Sequence, residues 1–158
     1  MKEQDQIFMR RAIELAEKGM DSNAGGPFGA VVVKDGEIIA EGFNQVTSQN
    51  DPTAHAEVMA IRNACRKLNS FQLTGCTVYT SCEPCPMCLG ALYWARPDRV
   101  FYACDHHDAA AIDFDDSFIY QELKLEIGDR SIPFTQGLRT EALPVFEKWR
   151  NNNQAIKY

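Results

Sequence analysis

No run of residues in this sequence is apolar for long enough to span a bilayer, which leaves no candidate for a membrane-spanning helix. The opening stretch, Met1-Lys2-Glu3-Gln4-Asp5-Gln6, lacks the apolar segment of a secretory signal. Clustered Lys and Arg are missing too. Acidic residues outnumber basic ones 22 to 16, for a net charge of −6, so polyanionic partners such as nucleic acid are disfavoured. No Lys-Ser/Thr follows the Gly25-Gly26 pair, which therefore reads as a plain loop and not a phosphate cradle. There is no internal repeat and no compositional shift marking a second domain. What remains, 158 residues with 45% hydrophobic and 24% charged, suits one globular domain able to bury a core. Six cysteines, three of them in one short stretch, fit a reducing cytoplasm better than a disulfide scaffold.

Two stretches carry chemistry: Thr53-Ala54-His55-Ala56-Glu57 and Ser81-Cys82-Glu83-Pro84-Cys85-Pro86-Met87-Cys88. Together they form the H-x-E…P-C-x-x-C pattern of zinc deaminases. One imidazole (His55) and two thiolates (Cys85, Cys88) make a three-ligand zinc site whose fourth position is open to water, lowering the water's pKa to about 7. A carboxylate beside the metal but not bound to it, Glu57, is the group to move protons. Cys85 and Cys88 share one face of a helical first turn, and the free amides of a helix start favour thiolates. Pro84 and Pro86 suit that start. His55 and Glu57 diverge on a helix interior, so both reach one metal only at a helix beginning. A lone C-x-x-C is also compatible with a redox pair or half of a structural zinc site, with Cys82 as the closing ligand of a non-catalytic module. The glutamate and the ordered proline-cysteine pair favour catalysis, with Cys82 at a strand end without metal.

Periodicity gives a helix over residues 7–18 with Phe8, Ala12, Leu15 and Ala16 on one stripe, then a hairpin of residues 28–33 and 38–42 turning at Asp35-Gly36. A helix over 54–68 follows, in which Cys65 is an inert core residue. After it come a strand over 76–80, a helix over 86–95 stopped by Arg96-Pro97, and a strand over 99–103. This order predicts an α/β fold of three layers, α/β/α, with a mixed central sheet, helices on both faces and the later strands parallel. Ligand sites in such sheets lie beyond strand ends, where His55 and Cys85 fall. Asp105-His106-His107-Asp108 reads as a solvated loop. Asp113, Asp115 or Asp116 is a helix cap. Residues 119–137 read as a surface excursion, residues 141–150 as a last helix, and the polar residues 151–158 as a separate C-terminal tail on a 1–150 domain.

The stretches T-A-H-A-E, T-S-C-E-P-C-P-M-C-L-G-A and F-D-D-S-F-I-Y resemble the cytidine deaminase superfamily, and within it the small bacterial guanine deaminases. The resemblance runs from Gly25-Gly26-Pro27-Phe28-Gly29 to Lys157-Tyr158. It implies hydrolysis of guanine to xanthine and ammonia, with one zinc per chain and Glu57 as proton carrier. It also implies Asn44, Asp116 and Ala56 as purine contacts, with Phe28 or Trp94 stacked on the ring. It further implies a homodimer in which residues 151–158 cross to the partner subunit and Tyr158 closes the partner's pocket. Rival substrates within the superfamily are guanosine, ammeline, cytosine and tRNA adenosine; the acidic surface disfavours the last. One departure is Asp113, where a glycine is usual in the subgroup.

Overall fold

The computed structural model describes all 158 residues, Met1–Tyr158. They form two compact units, Met1–Ser117 and Phe118–Tyr158. No helix is long and apolar enough to cross a membrane.

The first unit is built on four strands: β1 (Gly29–Lys34), β2 (Glu37–Phe43), β3 (Cys76–Cys82) and β4 (Arg99–Cys104). Their order is β2-β1-β3-β4. β1 runs antiparallel to both neighbours, and β3 and β4 are parallel. The sheet is therefore mixed, as expected. Asp35 and Gly36 both adopt positive φ in the two-residue turn of the β1–β2 hairpin.

Alternation along the strands divides the core into two layers. Val31, Val33 and Tyr79 face α1 (Glu3–Asp21), which presents Phe8, Met9, Ala12 and Leu15. Ala30, Val32, Cys76 and Val78 face α3 (Ala56–Leu68) and α4 (Pro86–Ala95), which supply Ala56, Ala60, Ala64, Leu92 and Ala95. Covered on both faces, β1 reads as a near-continuous apolar run, and β3 is buried along its whole length. The alanine row on α3 lets helix and sheet approach closely. A Cβ on Gly42 of β2 would lie 2.4 Å from the Ala56 carbonyl oxygen and 2.5 Å from the Ala60 nitrogen, so only glycine lets the first turn of α3 seat there. Cys65 is half-buried against this layer, and burial pushes its thiol up.

Three expectations change. Helix α1 begins at Glu3, ahead of the apolar stripe, because the Asp5 carboxylate accepts from the Lys2 backbone N–H at 2.8 Å and closes the first turn. The short helix α2 (Val46–Gln49) has too few residues for periodicity to reveal. Asp105-His106-His107-Asp108 is no loop: α5 spans His106–Ala110, and Asp105 accepts from the backbone N–H of His107 at 2.9 Å and of Asp108 at 3.0 Å.

The second unit contains α6, which begins at the unit boundary (Ser117–Glu122), a 3₁₀ turn (Ile127–Asp129) and α7 (Arg139–Arg150). The expected excursion over 119–137 thus starts helically, and Glu122 reaches on to accept from the Ser131 N–H at 2.9 Å. On α7, Val145, Phe146 and Trp149 are exposed. Residues 151–158 form turns without helix or strand.

Candidate active site

The first residues of α3 and α4 meet beyond the end of β3. His55 caps the N-terminus of α3 with extended backbone (φ −70, ψ 155), and Cys85 caps α4 in the same way (φ −61, ψ 167). Pro86 at the first helical position of α4 has no N–H to leave unpaired. Cys88 lies one turn on and is fully buried. These caps carry metal-ligand side chains where Ser or Asp is usual. The His55 imidazole makes no side-chain bond to its own helix.

His55 Nδ1 lies 3.5 Å from Cys85 Sγ and 3.6 Å from Cys88 Sγ. The three ligand atoms all fall within 4.8 Å of one another. Tetrahedral zinc, with Zn–S near 2.3 Å and Zn–N near 2.05 Å, requires an S···N edge of about 3.6 Å. The donor set therefore fits zinc in geometry as well as type. Protonation agrees: hydrogen bonding from Cys88, opposed by burial and helped by His55, lowers the Cys85 thiol to about 4. The bond to Cys85, with burial, holds the Cys88 proton on. The same Cys85 sulfur raises the His55 imidazole. One thiolate beside a thiol whose proton is held mainly by its neighbour is a site that a soft divalent cation competes for strongly.

Glu57, two residues into the first turn of α3, is buried at 5% exposure. Its Oε2 lies 3.4 Å from Cys88 Sγ, and its Oε1 accepts from Thr80 Oγ1 at 3.2 Å. Burial raises its pKa above the ordinary carboxylate range. Cys82, at the end of β3, stays outside the ligand group. Its Sγ donates to the Asp105 carbonyl at 3.6 Å, and burial pushes it up to about 12. The structure thus assembles three ligands and not the closed four-ligand alternative.

Asn44 is buried at the end of β2. Its N–H donates to the Phe28 carbonyl at 2.9 Å, and its Oδ1 accepts from the Val46 N–H at 3.1 Å. A Cβ on Gly25 would sit 2.0 Å from that Oδ1, so the loop glycine leaves the room the amide occupies. Phe28 packs edge-to-face on Phe114, with ring centroids 5.0 Å apart at 90°.

Residues 2–104 match the cytidine and deoxycytidylate deaminase zinc-binding region. The chain belongs to this deaminase family. It is 61% identical to the guanine deaminase of Bacillus subtilis strain 168 over 92% of this chain and 94% of that protein. The X-ray structure of guanine deaminase from Bacillus subtilis superposes with a TM-score of 0.95 at 57% identity, covering 100% of this chain and 99% of the other. The tRNA-specific adenosine deaminase of Aquifex aeolicus is 42% identical over 62% of this chain and 64% of its own length.

In this deaminase the remaining sequence-derived candidates are distributed unevenly. Asp116 is half-buried, and its pKa is raised first by burial and then by the Cys85 sulfur. The cap of α6 is Asp115, which accepts from the Ser117 N–H at 2.8 Å. Asp116 is therefore not needed as a cap. Asp113 adopts φ 69, a left-handed conformation that favours glycine and that Asp tolerates better than most residues. Ala56, the first residue of α3, is buried, and its backbone N–H is one of the helix's initial amides. Trp94 lies nine residues beyond Cys85, about 13 Å along the α4 axis at 1.5 Å per residue. It is exposed. Tyr158 belongs to the second unit and is exposed.

Sequence reasoning missed three residues. Thr80 holds Glu57, and its place on the inward row of β3 with Cys76 and Val78 was the available signal. Phe114 supports Phe28. Glu83 Oε2 lies 3.0 Å from His106 Nδ1 and accepts from the His106 N–H at 3.2 Å, tying the approach to Cys85 to the start of α5. No spacing rule links residues 23 apart.

Proposed function

We propose that this deaminase hydrolyses guanine to xanthine and ammonia. The observation that carries the choice of base is near-full-length 61% identity to a guanine deaminase; a half-buried carboxylate, Asp116, whose pKa is raised by burial and by the Cys85 sulfur, supports it. The reacting edge of guanine is rich in N–H donors, and a carboxylate accepts from them while repelling acceptor-rich analogues. The buried Asn44 amide holds the base from another side, and Phe28, braced by Phe114, offers a ring face.

His55, Cys85 and Cys88 would hold the zinc, which would supply Lewis acidity and lower the pKa of a water. Glu57 performs the proton work. It takes a proton from the attacking water and passes it to the ring nitrogen next to the carbon under attack. It then delivers the second water proton to the departing amine. Burial raises its pKa, which favours the carboxyl holding a proton between these steps.

The proposal extends to assembly. Residues 151–158 cross to a partner subunit in a homodimer, and Tyr158 closes the partner's pocket. The exposed Val145, Phe146 and Trp149 on α7 support it, because a second copy would cover them. Six free cysteines support a reducing, cytoplasmic setting.

Ammonia release from a panel of purines, pyrimidines, nucleosides and triazines tests the substrate, and guanine should lead. Glu57→Ala tests the mechanism: zinc content and folding should persist while turnover disappears, since the carboxylate is not a ligand. Near wild-type turnover by that variant would refute the assigned role.

A further inference from the structure

Side chains alternate across β3, so Cys76, Val78 and Thr80 face α3 and α4 while Tyr79 faces α1. Cys76 and Val78 fill apolar core. Thr80 continues their row at 1% exposure, in a place where packing alone would accept valine, which has the same shape. A buried hydroxyl is costly unless bonded, and this one is bonded: Thr80 Oγ1 donates to Glu57 Oε1 at 3.2 Å. The other oxygen, Oε2, points at Cys88 Sγ, 3.4 Å away.

The two oxygens of one carboxylate therefore have different surroundings. A glutamate's last torsion is soft and roughly two-fold, so nothing in Glu57 itself decides which oxygen faces the reacting atoms. Threonine is stiff at χ1. It is also anchored by pairing with Ala30 of β1 and Tyr102 of β4, in the interior of the sheet. A rigid donor on a central strand thus fixes the torsion of a side chain carried by a helix.

We propose that Thr80 is a positioning residue for the deamination, tethering Oε1 of Glu57 so that Oε2 is the oxygen that carries protons. The proposal rests on the reading of Glu57 as proton carrier. In one turnover a C–O bond forms from water and the C–N bond to the exocyclic amine breaks. One water proton ends on the ring nitrogen and the other on ammonia, each by way of Oε2, and Glu57 returns unchanged.

Thr80→Val keeps the shape and removes the donor. Its kcat for guanine should fall about ten- to a hundredfold while KM stays within about twofold, with zinc still bound at one per chain. Thr80→Ser restores the donor and should stay within about threefold of wild type. Introduced into Glu57→Ala, Thr80→Val should change the residual rate no further, because its partner is gone. If the valine variant does not fold, Thr80→Ala replaces it, with the same loss expected relative to Thr80→Ser. Wild-type kcat in Thr80→Val would overturn the proposal, as would equal impairment in Thr80→Ser or a loss accounted for by missing zinc. Activity in Glu57→Ala alone would remove the underlying reading, a result seen without any Thr80 variant.

Discussion

Replacing Asp116 by Asn alters one atom of the side chain and tests the proposed recognition of the base. The carboxylate offers two acceptor oxygens, and the amide offers one acceptor and one donor, so one bond to a guanine N–H is exchanged for a donor–donor clash. A hydrogen bond to a charged group is worth about 1.5–3 kcal/mol, which corresponds to about a 10- to 150-fold loss of kcat/KM. The structure removes two confounding effects. Asp116 is outside the ligand group His55, Cys85 and Cys88, so zinc content should hold. The cap of α6 is carried by Asp115, so folding should hold as well. Ammonia release from guanine, measured beside zinc content and a thermal melt, reads all three. Asp115→Asn is the control and should leave kcat/KM nearly unchanged. An unchanged guanine rate in Asp116→Asn, or a loss matched by falling zinc, would refute the assignment.

Three further outcomes follow from the geometry. Cys82→Ser should keep one zinc per chain while Cys85→Ser and Cys88→Ser lose it, by metal analysis of purified protein; equal loss at all three would restore the structural-site alternative. Glu57→Ala with its tail intact and a chain ending at Arg150 with Glu57 intact should each be nearly inactive, and refolding them together should return activity if residues 151–158 exchange. A truncated chain fully active by itself would end that proposal. The bond to Glu83 raises the His106 pKa above its unfolded value near 6.5. Its contribution to stability is therefore complete below about pH 6.5 and is lost as pH rises through the folded value. The melting difference between wild type and His106→Gln should shrink from pH 6 to pH 9, and a difference that grows would reverse the sign.

The metal site was legible because its residues obey local geometry. A histidine and a glutamate two apart must start a helix to share a metal, and the structure puts them at the cap and the second position of α3. The layer order followed from the sequence of elements, with the parallel β3–β4 pair as the crossover rule requires. The α5 helix was misread although its signature was present. Asp105 and Asp108 stand at capping-box spacing, and the adjacent histidines drew attention from it. The choice among Asp113, Asp115 and Asp116 as the cap was undecidable from three close aspartates, and in the structure it is the Asp115 side chain that accepts from the Ser117 N–H.

Because all three ligands sit at helix beginnings, the opposite ends of α3 and α4 are insulated from the chemistry. Thirteen residues of α3 carry the chain about 20 Å from His55 before it turns at Asn69, and ten residues of α4 carry it about 15 Å from Cys85 before Arg96. The two distant loops fasten to each other: the Leu73 N–H donates to the Ala95 carbonyl at 2.7 Å, and the Gly75 N–H donates to Asp98 Oδ1 at 2.9 Å. Residues 69–75 and 96–98 therefore form a rim that holds the helices to the sheet without touching substrate. An affinity tag or a fused domain inserted in that rim would sit at the ends of α3 and α4 opposite the metal ligands, and this is where the first unit can acquire a new attachment while its reaction continues undisturbed.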